Sequence, residues 1–531
     1  MRILSFKPGH DGHIAYLVNG ALVFSHEAEK DSGYRYAAID ISMMLDVARQ
    51  LNEIPDVIAL SGWTTSMNPD GRPIGAGYRG LDFEIKNEEM FGREVKFFTS
   101  SHEKSHIFCS YALSPFPQGQ PCYVLIWEGN IGTFYSIEAD LSIRRLTEVM
   151  VAPGIRYAFA YGLADPTFKL GPGKIRLSDA GKLMALAAFD EGPTEPSSEE
   201  NALLNKIFSE PLAIPHFHKD EFIRFPVYNS GVESLASKRL ARLISDYIFN
   251  YFKKAIQPFI FEKRPLLIGG GCGLNCDWNR AWLDSEMFSD VFVPPCTNDT
   301  GSAIGTAADA QFLLTRNAKI QWNVYSGQSF FDDLKVETSS SIGYFQRVSS
   351  DAQKIARLLL NGAILAWVSG NAEIGPRALG NRSLLAAPFT KKTLARLNAI
   401  KRREHYRPIA PVCLAEDASL YFDIHCPSPH MLYFCRVRTD KLKAITHVDG
   451  SARVQTVAQK DNPKLYELLT AFKDVSGFGV LCNTSLNFNG TGFINRTSDL
   501  AKYAAEVELD GFVVAGRLFL HKEKLSYDNR F

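Results

Sequence analysis

Along the N-terminal stretch, apolar and polar positions alternate with the two-residue period of a strand. Arg2–Lys7 and His13–Val18 read as two strands around a tight turn, Gly9-His10-Asp11-Gly12, and Asn19-Gly20 is a two-residue hairpin signal leading into Ala21–His26. A second set of the same kind follows: Cys122–Trp127 is a continuously apolar strand, Glu128–Gly132 a turn, Thr133–Ile137 the next strand, and a third strand lies beyond Ala139-Asp140. Each set carries an acid in its first turn, Asp11 and Glu128, and the pair predicts an internal duplication of a β-meander. Helical periodicity marks Ala37–Leu51, a helix opening at His102-Glu103-Lys104-Ser105-His106, a helix start at Leu177–Leu186 capped by Ser178 or Asp179, and a long amphipathic helix over Gly231–Ile256. Residues 190–230, rich in Pro, Ser and Glu, read as an irregular excursion. Apolar runs at 265–268 and 291–293 predict strands that open into glycine-rich or acid-bearing loops. A boundary near 325–345 precedes a second unit with a helix at Asp351–Leu360 and strands at Ala363–Val368 and Gly477–Leu481. Strands alternating with helices make the fold class α/β, with domains at 1–340 and 345–531.

At 531 residues, 46% of them hydrophobic, the chain can bury more than one core. Lys+Arg and Asp+Glu both number 58, so there is no basic excess of the kind that marks a nucleic-acid partner. Nine scattered cysteines form no disulfide framework, and Cys272 with Cys276 lacks the second pair that a zinc site needs. The N-terminus does not read as a signal peptide, and no run of 18 apolar residues suggests a membrane span, so the expectation is a cytoplasmic protein without nucleic-acid or membrane partners. A homodimer is left open.

Three groups of residues carry candidate chemistry. His102 and His106, four apart on a helix, face the same side, the spacing with which a helix offers two imidazoles to one metal; partly buried helix-end histidines would show the same spacing. Asp11, Glu128 and Asp299 are acids at the ends of predicted strands, and the four glycines around Gly270, Gly271 and Asn275 would let backbone approach a ligand such as a nucleotide phosphate. Arg377, Arg382, Lys401, Arg403 and Arg407 form a dense cationic set among Gly, Pro and apolar residues, suited to phosphate oxygens. Two polar islands, His447–Thr456 with Arg453 and Cys482–Asn487 with Asn483 and Ser485, lie among hydrophobics, and Lys182 sits in the Ser178-Asp179-Ala180-Gly181-Lys182 helix start as a candidate ligand or an ordinary helix residue.

These motifs, in this order, resemble the O-carbamoyltransferases of the nodulation and tobramycin type. The match runs through GHDG, HEKSH, LSDAGKLM, GGGCGLN, NDTGSAIG, EIGPRALGNRS, KRREHYRP, HVDGSARVQT and NTSLN, and FKPGHDG, HEKSH, WEG and PPCTND look most like the branch that carbamoylates hydroxymethyl cephems. The resemblance implies an N-terminal duplicated domain of the actin-like ATPase (ASKHA, ribonuclease-H-like) class and a C-terminal YrdC-like domain. The C-terminal domain would form carbamoyl-adenylate from carbamoyl phosphate and ATP, releasing pyrophosphate, and the N-terminal domain would transfer the carbamoyl group to a hydroxylated small-molecule acceptor. It implies His10 as the base for the acceptor hydroxyl. His102, His106 and Asp299 would be ligands of a divalent metal, Fe2+ by the resemblance, with Mg2+ accompanying ATP. Glu128 stands where better-known members carry Asp. Lys401, Arg403, Arg453 and Ser485 match positions that hold the nucleotide and carbamoyl phosphate, with Asp11, Gly270, Gly271, Asn275, Arg407 and Asn483 assigned to the same ligands. Gly490-Thr491-Gly492-Phe493-Ile494 departs from the Gly-Glu-Pro-Ile of many members. Two other functions stay open: a fused threonylcarbamoyl-adenosine tRNA-modifying enzyme, which shares both fold types, and a non-catalytic nucleotide-binding or kinase-like protein.

Overall fold

The computed structural model describes residues 1–63, 74–90, 92–172, 174–209, 218–424 and 426–525. The chain forms two compact units: Met1–Leu113, Asp299–Thr446 and Gly450–Phe531 in one, Ser114–Asn298 with His447–Asp449 in the other. Among the described residues, no helix is long and apolar enough to cross a membrane.

The first unit begins with the predicted meander: β1 (Arg2–Lys7), β2 (His13–Val18) and β3 (Ala21–Glu27). Strand β4 (Val57–Ser61) adds parallel to β1, and β5 (Phe83–Met90) and β6 (Arg93–Ser100) complete a six-stranded sheet in the order β3-β2-β1-β4-β6-β5. The helix Ser302–Thr315 lies on β1, β2, β4 and β6 and packs closely along the helix His102–Leu113. Every residue of the latter is buried. Glu103 and Lys104, which point away from the histidine face, are buried too: Lys104 pairs with Asp309 at 3.0 Å and Glu103 accepts the Gly80 N–H at 2.8 Å. The helix predicted at 37–51 is Ile41–Gln50, capped by the Asp40 carboxylate.

The same unit holds a nine-stranded mixed sheet in the spatial order Ser341–Ile342, Phe345–Val348, Arg517–His521, Gly511–Val514, Leu365–Val368, Arg382–Ala386, Val480–Ser485, Ala410–Leu414, Gln455–Val457. Side chains alternate between its faces. Leu365 and Trp367 join the helices Ala352–Leu360 and Pro463–Ser476 on one side, and Ala366 and Val368 join the helix Thr497–Glu506 on the other. A strap at residues 27–37 links the six-stranded sheet to this part of the chain. Ala28 N–H donates to the Gly12 carbonyl at 2.8 Å, while Ser32 N–H donates to Phe493 and the Gly33 carbonyl accepts from Gly492, both at 2.9 Å. A Cβ on Gly492 would stand 2.0 Å from the Glu29 carbonyl oxygen, so only glycine lets the strap lie this close.

In the second unit, β7 (Cys122–Trp127), β8 (Gly132–Ile137) and β9 (Ile143–Glu148) form the second meander. Strand β10 (Leu266–Gly269) runs parallel to β7 and β11 (Val291–Phe292) parallel to β10. The sheet order β11-β10-β7-β8-β9 repeats that of β1–β4 and β6: a meander whose first strand is followed by two parallel strands. Two expectations need correcting, and a third holds in position but not in its bonding. The stretch 190–230 contains a helix, Ser198–Phe208, started by a Ser197/Glu200 capping box that composition obscured, and a short 3₁₀ turn at Lys219–Phe222. Ser178 is the N-cap of Asp179–Ala187, but its side chain makes no capping bond. The strand expected at 477–481 is Val480–Ser485, because Gly477, at φ 80°, ends the preceding helix in the left-handed conformation. Asn483 and Ser485 are therefore inside a strand, opposite Leu385 and Ser383, rather than beyond its end.

Candidate active site

Strand β1 ends at Lys7, and the chain turns through Pro8–Gly12 before β2. Asp11 adopts φ 53°, and its N–H donates to the Tyr36 carbonyl at 3.3 Å. Gly12 is required here, since a Cβ would lie 2.4 Å from the Ile39 nitrogen. This turn sets the His10 Nδ1 2.9 Å from Asp11 Oδ2. With a carboxylate as acceptor, Nδ1 carries the hydrogen, and Nε2 keeps a lone pair. His10 is 46% exposed and packs edge-on against Trp63, 4.8 Å between ring centres. A basic nitrogen oriented by an acid and reachable from solvent is the arrangement of a general base.

His102 and His106 do face one another on their helix, Nε2 to Nε2 at 3.2 Å. Asp299, just ahead of the Ser302–Thr315 helix, brings Oδ1 to 3.5 Å from each of these nitrogens. A triangle with these edges has a centre about 2 Å from all three atoms, the bond length of a divalent transition metal to imidazole nitrogen or carboxylate oxygen. The donor set and its spacing fit a metal. Burial raises the Asp299 carboxyl, but the Lys7 ammonium and the two histidines outweigh it and hold the group well below the usual carboxylate range. His10 Nδ1 lies 3.6 Å from Asp299 Oδ2, so the base and the metal set adjoin.

Three residues here escaped the sequence. Lys7 is wholly buried, 3.1 Å from Asp299 Oδ2, and donates to the His10 carbonyl. Trp63 sits between His10 and His102, and Tyr78 stacks on His102 at 4.7 Å. None belongs to a motif with a spacing rule; their roles arise from contacts made across the fold.

In the second unit, Glu128 is buried at the end of β7, its N–H donating to the Ile131 carbonyl at 2.8 Å. Gly270, at φ 99°, follows β10; a Cβ there would stand 2.5 Å from the Trp127 carbonyl oxygen and 2.8 Å from the Glu128 Cβ. Gly271 starts a 3₁₀ turn, and Asn275 caps the Cys276–Asp284 helix by accepting from Asp277 and Trp278. Lys182 is paired with Asp179 at 3.2 Å and faces the Tyr161 ring, a local structural use.

The cationic set converges in part. Lys401 donates to the carbonyls of Ser485 (2.6 Å) and Asn487 (3.2 Å) and to Asn487 Oδ1 (2.6 Å). Burial, then Arg403, Arg407 and Arg35, holds its ammonium well below the usual lysine range. Burial, then Arg407 and Arg453, pushes Arg403 down to about 9. Cations that depress one another in a half-buried setting make a ready place for an anion. Arg453 Nε and Asn483 Oδ1 are buried without a hydrogen-bond partner, one a donor and the other an acceptor. The Ser485 hydroxyl donates to Asn487 Oδ1 at 2.6 Å. Arg377 is half-buried on the Gly370–Asn381 loop, whose backbone is gathered by Glu373: Oε1 accepts the N–H groups of Leu379, Asn381 and Arg382 at 2.7, 2.8 and 3.2 Å. Arg382 corrects the expectation for it. It is wholly buried and turned inward, its guanidinium taken by Asn495 Oδ1 (2.7 and 3.0 Å) and by the carbonyls of Ser369 and Asn381, both at 2.9 Å.

Comparison with known proteins bears on these residues. Residues 82–207 and 235–308 match the family model "Carbamoyltransferase N-terminus", and residues 356–522 match "Carbamoyltransferase C-terminus". The chain is 46% identical to 3'-hydroxymethylcephem-O-carbamoyltransferase of Streptomyces clavuligerus over 97% of this chain and 98% of that one. It is 30% identical to Nodulation protein U of Sinorhizobium fredii over 93% of this chain and 95% of that one. Among solved structures, an archaeal actin homolog matches with TM-score 0.29 at 8% identity, over 59% of this chain and 99% of that one. Family models and relatives together span nearly the whole chain, and the protein is an enzyme belonging to the carbamoyltransferase family.

Proposed function

We propose that the chain is an ATP-dependent O-carbamoyltransferase acting on a hydroxyl of a small molecule, of the hydroxymethyl-cephem kind. Activation is assigned to residues 345–531, in the YrdC-like role, and transfer to residues 1–340, in the actin-like role. The observation that carries this reading is the 46% identity, over 97% of the chain, to an enzyme named for O-carbamoylation of a hydroxymethylcephem.

In the activation step carbamoyl phosphate, ATP and one water yield carbamoyl-adenylate, pyrophosphate and orthophosphate. Lys401, Arg403, Arg407 and Arg453 offset the charge of the phosphates as pyrophosphate departs. Arg453 Nε and Asn483 Oδ1, both lacking partners, suit a ligand that has phosphate oxygens to accept and an amide N–H to donate. In the transfer step the acceptor oxygen attacks the carbamoyl carbon, its proton passes to His10 Nε2, and AMP leaves with the electrons of the broken C–O bond. Asp11, 2.9 Å from Nδ1, keeps the ring in the right tautomer and stabilises the imidazolium. A divalent metal held by His102, His106 and Asp299 would neutralise the adenylate phosphate and make AMP a better leaving group.

His10→Ala is expected to retain carbamoyl-phosphate-dependent pyrophosphate release and to lose transfer. Mass spectrometry of a panel of hydroxylated acceptors, a 3'-hydroxymethylcephem included, reads the gain of one carbamoyl group. Loss of both activities in a folded variant, or transfer undiminished, overturns the assignment.

A further inference from the structure

The two oxygens of Asp299 have separate neighbours. Oδ1 lies 3.5 Å from both histidine nitrogens, whereas Oδ2 lies 3.1 Å from the Lys7 ammonium and 3.6 Å from His10 Nδ1. The Lys7 contact is an ion pair without an aligned hydrogen bond, because Oδ2 has no hydrogen-bond partner and the ammonium donates to the His10 carbonyl. Lys7 has little room to move. Its side chain is 0% exposed, the face of the Trp63 ring lies 4.0 Å from Nζ, and its backbone is paired with His13 in the β1–β2 ladder. A buried ammonium is costly unless its partners are fixed, and here they are one carboxylate oxygen, one carbonyl and one ring face.

We propose that Lys7 is a positioning residue that restricts Asp299 to a single metal-ligating oxygen, Oδ1, and ties that carboxylate to the loop carrying His10. This inference rests on the metal reading of His102, His106 and Asp299. An Asp free at both oxygens can chelate a divalent cation and so occupy a coordination position that a phosphate oxygen or water would otherwise take. Lys7 holds Oδ2 away from that role. Because the same ammonium grips the His10 carbonyl, the base and the metal-binding carboxylate keep one spacing.

The test uses the full chain, with Co2+ as probe and [13C]aspartate labelling. Infrared difference spectra of the Co2+-loaded minus the metal-free protein report carboxylate denticity through the separation of the asymmetric and symmetric stretches. Wild type is expected to show the wide separation of a one-oxygen ligand, and Lys7→Met, an apolar side chain of similar length, the narrow separation of a chelating one. Lys7→Arg is expected to restore the wide separation. A narrow separation in wild type overturns the proposal whether or not Lys7→Met folds, and so does a wide separation in Co2+-loaded Lys7→Met. Failure of the metal reading looks different: wild type takes up no Co2+, or His102→Ala and His106→Ala take it up undiminished.

Discussion

Gly305 and Ser105 meet backbone to backbone: a Cβ on Gly305 would stand 1.8 Å from the Ser105 carbonyl oxygen. Next to this contact the Ser105 and Thr306 hydroxyls lie 2.7 Å apart. The contact sets the distance between the helix carrying His102 and His106 and the helix that follows Asp299. Gly305→Ala is expected to cost about 1–3 kcal/mol of stability through overpacking. By forcing the helices apart it should also weaken metal binding. Denaturant unfolding and metal titration read the two effects, and unchanged metal affinity in a destabilised variant would contradict the link.

Arg382 and Arg453 are both arginines of the C-terminal part, yet they should fail in opposite ways. Arg382→Ala takes the guanidinium donor from Asn495 Oδ1 and the Ser369 carbonyl in the interior and is expected to cost about 2–6 kcal/mol, at about 1–3 for each orphaned acceptor, read as loss of soluble protein or a lower unfolding midpoint. Arg453→Ala should keep the wild-type midpoint and lower pyrophosphate release on the order of 10²–10³-fold. A stable, active Arg382→Ala protein would refute the inward role.

Burial raises the Glu27 carboxyl to about 7 from 4.5, and this outweighs the opposing pull of Lys30 and of the Gly375 N–H. A carboxyl with a raised folded pKa contributes stability that is complete below its unfolded pKa and is lost as pH rises through the folded one. The window is therefore about pH 4.5 to 7. Glu27→Gln lacks this dependence, so its melting temperature should improve relative to wild type between pH 5 and pH 8. The effect is on the order of 3 kcal/mol at most, one pKa unit being about 1.4 kcal/mol. Parallel melting curves across that range would contradict it.

Lys401, held below the lysine range by burial and three arginines, should bind its proton more tightly when an anion arrives. Calorimetric titration of carbamoyl phosphate at pH 8 in two buffers of unequal ionisation enthalpy is expected to show net proton uptake. Lys401→Met should abolish most of it, and uptake unchanged in that variant would assign the proton elsewhere.

Local signals carried much of the architecture. Asn19-Gly20 and the alternation around it place β1, β2 and β3 within a residue, and the i, i+4 spacing of His102 and His106 brings their Nε2 atoms to 3.2 Å. Where a residue's role depends on a partner far along the chain, the sequence is silent. Lys7 looks like any polar strand-end residue until Asp299, nearly three hundred positions later, stands beside it. Arg382 reads as one of several basic residues in a glycine-rich loop, and only its Asn495 partner shows that it points inward. The Ser198–Phe208 helix was the opposite case: Ser197 and Glu200 carried the signal locally, but the surrounding Pro and Ser masked it.

The strap at residues 27–37 has a consequence for synthesis. Lys30 and Glu27 grip Gly375 from both sides, through its carbonyl at 2.7 Å and its N–H at 2.6 Å, across 345 and 348 positions of chain. At roughly 5–20 residues per second, a ribosome delivers Gly375 on the order of 20 to 70 s after the strap emerges. Until then the Glu27–Lys30 pair has no peptide to hold and stays hydrated at the sheet's edge. The two ends of the nascent chain can be joined only once most of it is made, so the strap is a late clasp. A truncated chain ending before Gly375 would leave it open.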